Sequence, residues 1–286
     1  MRVLIDRTSR IVGYDEAPFA GFRGHTMIGA IAGDIAGSVY EWNPTKRKDA
    51  ALWGPGSTFT DDTVLTVAVA EHLLHGGDLA ERFHAYVRDF PSAGYGGAFL
   101  RWAREGRREP YGSWGNGSAM RVSPVGYATG TLAEALRLAA DTAAVTHDHP
   151  EGVRGAQAVA GAVFLARSGH DKVTIRAFVE HDVGYAIDRT LDEIRPDYAF
   201  DVSCQGSVPE AIVAFLESTG FEDALRNAIS LGGDADTMAC IAGAIAEPYY
   251  GGVPHDIRAR ALGHLPPRLR DVVEAFHERF VASPSG

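Results

Sequence analysis

Two apolar segments rich in glycine and alanine constrain the fold of this chain more than any other feature. One reads MIGAIAGDIAGSVY from Met27, and the other reads MACIAGAIA from Met238. Side chains this small allow two helix backbones to approach each other closely. We therefore expect both segments to be helices that meet at a tightly packed centre.

The rest of the chain from residue 27 also has apolar residues at helical spacing, and strand patterns are nearly absent. No Pro/Ser-rich linker or block of like charge separates domains. The sequence predicts an all-α fold, with an N-terminal extension over residues 1–26 and a single domain over residues 27–286. Helices are predicted near residues 27–40, 62–75, 79–90, 94–105, 131–145, 152–168, 172–182, 208–218, 221–230, 235–247 and 266–281.

Composition limits the classes of partner. The chain has 286 residues and a formal net charge of −10, so duplex nucleic acid and anionic membranes would repel it on average. No apolar run is long enough to span a membrane, and MRVLIDRTSR lacks a signal-peptide core. The only cysteines, Cys204 and Cys240, fit a reducing compartment. We expect a cytoplasmic protein without non-specific nucleic-acid binding, with a monomer favoured.

Two acidic stretches stand directly before apolar helices. GSTFTDDTVL contains Asp61 and Asp62, and SLGGDADT contains Asp234 and Asp236. A helix N-cap needs only one side-chain oxygen, and each stretch offers several. If the helices that follow the two stretches pack side by side, both acidic helix starts face one point in space.

Convergence of the two stretches would require a cation. Four carboxylates and two threonine hydroxyls brought together without one would repel each other and lose hydration, at a cost of several kcal/mol. Ligands that are all oxygen favour Mg²⁺, Mn²⁺ or Ca²⁺ over zinc, and so many carboxylates suit a pair of ions. Either stretch taken alone is also compatible with an ordinary helix cap.

Five motifs together resemble those of the ADP-ribosylglycohydrolase family, the group of dinitrogenase-reductase-activating glycohydrolase and the ADP-ribosylhydrolases. They are GDIAGSVYE, TDDT, GNGSAMRV, the Thr146-His147 pair and SLGGDADT, in the family's order and approximate spacing from residue 27 to about residue 251. The resemblance implies an all-α orthogonal bundle around a binuclear Mg²⁺ or Mn²⁺ centre. It also implies hydrolysis of the glycosidic bond that links ADP-ribose to a target.

The resemblance assigns roles to individual residues, and GSVYE is closest to the serine-directed branch of the family. Asp34 is expected to be a buried acid that supports the loop. The implied metal ligands are Thr60, Asp61, Asp62, Asp234, Asp236 and Thr237. The implied catalytic residues are Glu41, Asp61, Asp62 and Asp236, and the implied substrate-binding residues are Asn116, Gly117, Ser118, Met120 and His147.

Other interpretations stay open. The adjacent pair His147-Asp148 in a helical protein is also compatible with an HD-type phosphohydrolase. That class needs further histidine ligands, and His72, His75 and His84 fit no such pattern. A non-catalytic ADP-ribose-binding protein of the same fold is a further alternative. The sequence leaves open which linkage is cut (serine, arginine, O-acetyl, poly-ADP-ribose or nucleobase), and also which aromatic residue stacks on adenine. The candidates for stacking are Tyr95, Phe99, Trp53 and Trp114. Separately, the loop with Lys46, Arg47 and Lys48 is a candidate contact for a macromolecule.

Overall fold

The computed structural model describes residues 27–282. Within that range the chain is built of helices, and its β-type pairing is one isolated bridge between Gly115 and Ser203. The helices are α1 Ile28–Gly37, α2 Asp61–His75, α3 Leu79–Asp89, α4 Gly97–Arg104, α5 Gly117–Met120, α6 Ser123–Ala128, α7 Leu132–Ala144, α8 Pro150–Arg167, α9 Lys172–Ala177, α10 Leu191–Ile194, α11 Cys204–Leu216, α12 Phe221–Ile229, α13 Ala235–Tyr249, α14 His255–His264 and α15 Pro267–His277.

The predicted all-α fold is confirmed, and each predicted helix has a counterpart. The predicted helices near 172–182 and 266–281 each consist of an α-helix followed by a π-helical turn. These are α9 with Phe178–Val183 and α15 with Glu278–Ala282. Helices α6, α10 and α14 are absent from the predicted set. The first two have six and four residues, and the α14 sequence HDIRARALGH buries only Ile257 and Ala261. Two buried positions are too few to produce a recognisable apolar stripe.

The predicted extension, residues 1–26, lies outside the described residues, so the domain boundary at residue 26 stays a prediction. Among the helices of residues 27–282, none combines the length and the apolar character that a bilayer crossing requires.

Helices α1 and α13 form the centre of the molecule. Every residue of α1 is buried, and α13 is buried from Ala235 to Pro248. A helix that is apolar on all sides is stable in water only when other helices surround it, and α13 packs against α1, α8, α11 and α12. The expectation that the two small-residue segments meet at the core is confirmed.

Glycines set the distance between α1 and α13. A Cβ atom built on Gly33 would collide with the carbonyl oxygen of Ala239, and Gly29 and Gly37 meet the backbone of α13 in the same way. The partners of these glycines run backwards along α13, at Gly243, Ala239 and Ala235, so the two helices are antiparallel. The C-terminal end of α1 therefore lies beside the N-terminal end of α13.

The two helices with the acidic starts, α2 and α13, make little contact with each other, so side-by-side packing is not what brings the acidic stretches together. Helix α2 packs mainly on α3, α6 and α15, whereas α13 packs mainly on α1. Helix α1 contacts both of them. The acidic helix starts are thus brought together through α1.

We expect Gly33→Ala to destabilise the fold by about 3 kcal/mol, because the added methyl group forces two backbones apart in a close-packed core. The measurement is the free energy of unfolding from urea denaturation monitored by circular dichroism.

Gly263→Ala is the matched control. Gly263 also lies in a helix, α14, but it is exposed and a Cβ atom there meets no heavy atom within 4 Å. Alanine should stabilise that helix by about 0.5 kcal/mol, because it loses less backbone entropy than glycine. Equal loss in both variants would show that α1 and α13 do not depend on their close approach.

Candidate functional site

A cavity of about 520 Å³ has acidic residues from distant parts of the chain at one end. Asp61 and Asp62 come from the start of α2, and Asp234 and Asp236 come from the start of α13. The Thr237 hydroxyl donates to Asp62 Oδ2 at 3.3 Å, a contact between residues 175 positions apart. The predicted convergence of the two acidic stretches is therefore present in the structure.

Glu41 belongs to the tightest acidic group. Glu41, Asp234 and Asp236 each offer a carboxylate oxygen, and these three oxygens lie within 4.8 Å of one another. Glu41 lies shortly after the end of α1, and the antiparallel packing of α1 on α13 brings it to Asp236. Its catalytic role stays a prediction, and the structure places it beside Asp234 and Asp236, two of the predicted metal ligands.

Asp34 fixes the start of α2. Its fully buried carboxylate accepts hydrogen bonds from Thr60 N at 2.9 Å, Thr60 Oγ1 at 2.7 Å and Thr63 N at 3.1 Å, and also from the Thr63 hydroxyl. Thr60 in turn caps α2 by accepting from Asp62 N at 3.3 Å. Asp34 thus holds the acidic helix start against α1 and does not itself line the cavity.

Electrostatics disfavour this cluster in the absence of a cation. Burial raises the pKa of Asp61, Asp62 and Asp236 well above the usual range, and repulsion from neighbouring carboxylates raises it further. Burial, with a contribution from Asp236, raises the pKa of Glu41 to about 7, and burial raises that of Asp234 to about 6. Each shift reports the cost of keeping negative charge in a confined space.

The residues fit a divalent cation. Asp62 Oδ1 is buried and has no hydrogen-bond partner among the described residues. Such an oxygen is costly unless something binds it, and oxygen ligands suit Mg²⁺, Mn²⁺ or Ca²⁺. Within residues 27–282, the group of acidic, histidine or cysteine side chains close enough to hold a metal contains no histidine. This composition disfavours the HD-type phosphohydrolase alternative.

Two stacked aromatic residues, one of them the sequence neighbour of Glu41, line the cavity. Trp42 is 79% exposed, and its ring stacks on Phe200 with 5.3 Å between centroids. Both rings line the cavity. Neither residue is recognisable as a site residue from the sequence, because exposed aromatic residues in loops carry no periodic signal.

The basic loop after Trp42 is tied to the body of the protein. Lys46 Nζ donates to the carbonyl oxygens of Tyr198 and Leu231, each at 2.5 Å. Arg47 pairs with Asp49 within the loop, and Lys48 pairs with Asp223 at 2.7 Å. Lys46 and Lys48 therefore link the loop that follows Glu41 to other parts of the protein, whereas the Arg47 pair lies within the loop.

Four of the five predicted substrate-binding residues line the cavity. The structure places Asn116, Gly117, Met120 and His147 on its wall. Ser118 is not there, because its buried hydroxyl faces away and donates to the Gly152 carbonyl at 2.7 Å.

Asn116 has a role that the motif did not reveal. Its Nδ2 donates to Asp234 Oδ2 at 2.7 Å and to Ser207 Oγ at 3.2 Å. Asn116 therefore orients one of the acidic residues as well as lining the wall.

Aromatic residues form much of the remaining wall. Tyr95 and Phe99 line the cavity and stack with 5.7 Å between centroids. Of the other two stacking candidates, neither Trp53 nor Trp114 lines it. Tyr111 also lines the cavity, although it was not among the predicted candidates. Its position just before the GNGSAMRV motif was a usable signal.

Comparisons with known proteins agree with this geometry. The sequence profile of the ADP-ribosylglycohydrolase family matches residues 16–285. ADP-ribosylhydrolase ARH3 of Mus musculus is 29% identical over 310 residues, covering 80% of this chain and 84% of that protein. ADP-ribosylarginine hydrolase Tri1 of Pseudomonas putida (strain GB-1) is 26% identical, covering 79% of this chain and 69% of that protein.

A solved structure shows the same fold. It is that of an ADP-ribosylglycohydrolase-related protein complex, with a TM-score of 0.67 and 26% sequence identity over 88% of this chain and 95% of that chain. The profile match extends over most of the sequence and includes all the acidic residues that meet in the cavity. On these grounds the chain is a member of the ADP-ribosylglycohydrolase family.

Proposed function

We propose that this protein is a metal-dependent hydrolase that cleaves the glycosidic bond between ADP-ribose and a target, releasing ADP-ribose. The observation that carries the proposal is a cavity lined by Asp61, Asp62, Asp234 and Asp236, in which carboxylate oxygens of Asp234 and Asp236 lie within 4.8 Å of one another and of a carboxylate oxygen of Glu41. Membership of the family supports the choice of ligand, as do relatives named ADP-ribosylhydrolase and ADP-ribosylarginine hydrolase.

The acidic end of the cavity is the proposed cation site, for two Mg²⁺ or Mn²⁺ ions. Asp62 Oδ1 is the most direct indication, because it is buried without a protein partner among the described residues. Thr60 can contribute only its hydroxyl oxygen, since its proton goes to Asp34. The proposed ligands are Thr60, Asp61, Asp62, Asp234, Asp236 and Thr237.

The proposed reaction exchanges one bond at the anomeric carbon of the ribose. A water oxygen bonds to that carbon, the bond to the leaving nitrogen or oxygen breaks, and one proton passes from the water to the leaving group. Bound cations supply Lewis-acid polarisation of the ribose hydroxyls and of the water. Glu41, within reach of Asp234 and Asp236 at the cavity mouth, is placed to carry the proton.

The other wall residues hold the substrate. Asn116 keeps Asp234 in place, and Gly117, Met120 and His147 line the cavity together with aromatic side chains. Ser118 stabilises the loop through the hydrogen bond that its hydroxyl donates to the Gly152 carbonyl. The cavity mouth beside Glu41 and Trp42 is left for the leaving group.

Cation binding should reverse the stability order of wild type and Asp236→Asn. Without a cation the variant should be the more stable, because it removes one of several repelling buried charges. With Mg²⁺ at a hundredfold excess over its dissociation constant, wild type should gain about 2.7 kcal/mol and the variant much less. The measurement is thermal unfolding by calorimetry in EDTA and in MgCl₂.

Asp256→Asn is the control, since Asp256 is an exposed acid at the start of α14 and lies outside the cavity. It makes the same change in net charge and should leave the Mg²⁺-dependent gain intact. A gain of equal size in Asp236→Asn would contradict the proposed cation site.

Hydrolysis should require the cation and the cluster together. We expect wild type to release ADP-ribose from at least one of a set of arginine-, serine-, O-acetyl- and nucleic-acid-linked substrates in Mg²⁺, and not in EDTA. Asp236→Asn should lower turnover about 100-fold or more, because it removes charge from the reaction centre. The assay is chromatographic detection of free ADP-ribose.

Three outcomes would redirect the assignment. Undiminished turnover in Asp236→Asn would remove the cluster from the mechanism. Tight binding of ADP-ribose without release from any substrate would favour a binding protein. Metal-dependent release of phosphate from nucleotides, with ADP-ribosyl adducts left intact, would favour a phosphohydrolase.

A further inference from the structure

A chain of buried hydrogen bonds leads from Arg121 through Thr146 to His147. Arg121 Nη2 lies 2.9 Å from Thr146 Oγ1, and Thr146 Oγ1 lies 2.7 Å from His147 Nδ1. Arg121 is 1% exposed, Thr146 is 0% exposed and His147 is 4% exposed. A buried polar hydrogen without an acceptor is costly, and Arg121 already has two nitrogens, Nε and Nη1, that lack a partner among the described residues.

The direction of the first bond is fixed by chemistry. A guanidinium group has only donors, so Thr146 Oγ1 must accept from Arg121. The guanidinium is held in place by a second bond to the Thr142 carbonyl at 3.3 Å and by the Phe83 ring 4.6 Å below it.

The direction of the second hydrogen bond, between Thr146 and His147, follows from the direction of the first. Thr146 has one hydroxyl proton, and among the described residues the remaining neighbour of its oxygen is His147 Nδ1. If Nδ1 carried a proton, the hydroxyl proton would be buried without an acceptor, which is costly. The hydroxyl therefore donates, and Nδ1 accepts.

An accepting Nδ1 leaves the imidazole proton on Nε2. The doubly protonated form is disfavoured because burial, together with the charge of Arg121, lowers the pKa of His147. A neutral imidazole carries its single proton on the nitrogen that does not accept. The hydrogen bonds from Arg121 to Thr146 and from Thr146 to His147 form a relay, and this relay selects the Nε2–H tautomer.

The Nε2 atom faces the glycine-rich wall of the cavity. A Cβ atom built on Gly117 would lie 3.2 Å from Nε2, and one on Gly115 would lie 3.9 Å from it. Both positions lack that atom, and His147 lines the cavity. Within residues 27–282, Nε2 has no hydrogen-bond acceptor, so its proton is free for a ligand.

We propose that Arg121 and Thr146 are positioning residues that lock His147 as an Nε2–H donor to an oxygen acceptor of the bound ligand. The part of the proposal that concerns ADP-ribose rests on the proposed function, whereas the tautomer does not. A fixed donor binds a phosphate or ribose oxygen without first reorienting. The relay therefore acts on binding and leaves the proton transfer at Glu41 untouched.

The test is the tautomer of His147 in the full chain. Protein labelled with ¹⁵N-histidine is studied near neutral pH by long-range ¹H–¹⁵N spectroscopy, and the His147 signals are identified by their loss in His147→Gln. We expect a protonated Nε2 and an unprotonated Nδ1. A protonated Nδ1 in wild type would overturn the proposal.

Variants at residue 146 separate the relay from simple packing. Thr146→Val keeps the shape and removes the hydroxyl, so His147 should populate both tautomers and ADP-ribose should bind about tenfold more weakly by calorimetry in Mg²⁺. Thr146→Ser keeps the hydroxyl and should retain the wild-type tautomer and affinity. A Thr146→Val protein with wild-type tautomer and affinity would also overturn the relay.

The outcomes distinguish this proposal from the proposed function. If Thr146→Val does not fold, the wild-type spectrum still decides the tautomer. A wild-type protein with the Nε2–H tautomer that releases no ADP-ribose from any substrate would leave the relay standing and would contradict the hydrolase assignment.

Discussion

The close approach of α1 and α13 is the constraint on which the candidate site depends. With a side chain at Gly33, the backbone of α1 would have to move away from Ala239. The antiparallel contact sets the end of α1 beside the start of α13, and Asp34 on α1 binds the start of α2. Three chain segments are thereby positioned by backbone packing and one carboxylate, before any cation takes part.

That rigidity explains how the fold tolerates an unfavourable cluster of charge. Buried carboxylates with raised pKa values reduce stability, and the surrounding helices must supply the compensating energy. A fully buried α1 and a nearly fully buried α13 provide it through apolar contact. The apolar packing of α1 and α13 thus holds the cluster of carboxylates that forms the proposed cation site.

The sequence was most informative where composition and motif agree. Gly- and Ala-rich segments predicted the core helices, and the two acidic stretches predicted a meeting of Asp62 with Thr237 that the structure contains. The sequence was least informative about the direction in which a side chain points. Ser118 belongs to the same loop as Asn116 and Gly117, yet a residue on the opposite side of a short helix faces Gly152 instead of the cavity. Motif membership alone cannot distinguish these orientations.

The lining of the cavity combines two kinds of surface, and this combination restricts the ligands that can bind there. The acidic end attracts cations and, through them, hydroxyl oxygens. The rest of the lining has aromatic rings, glycines, a neutral histidine and the guanidinium of Arg121, so it offers flat apolar faces together with hydrogen-bond donors. A ligand that spans both must carry hydroxyls at one end and a flat, weakly hydrated group further along. ADP-ribose has both features, whereas a simple phosphate ester or a peptide alone lacks one of them.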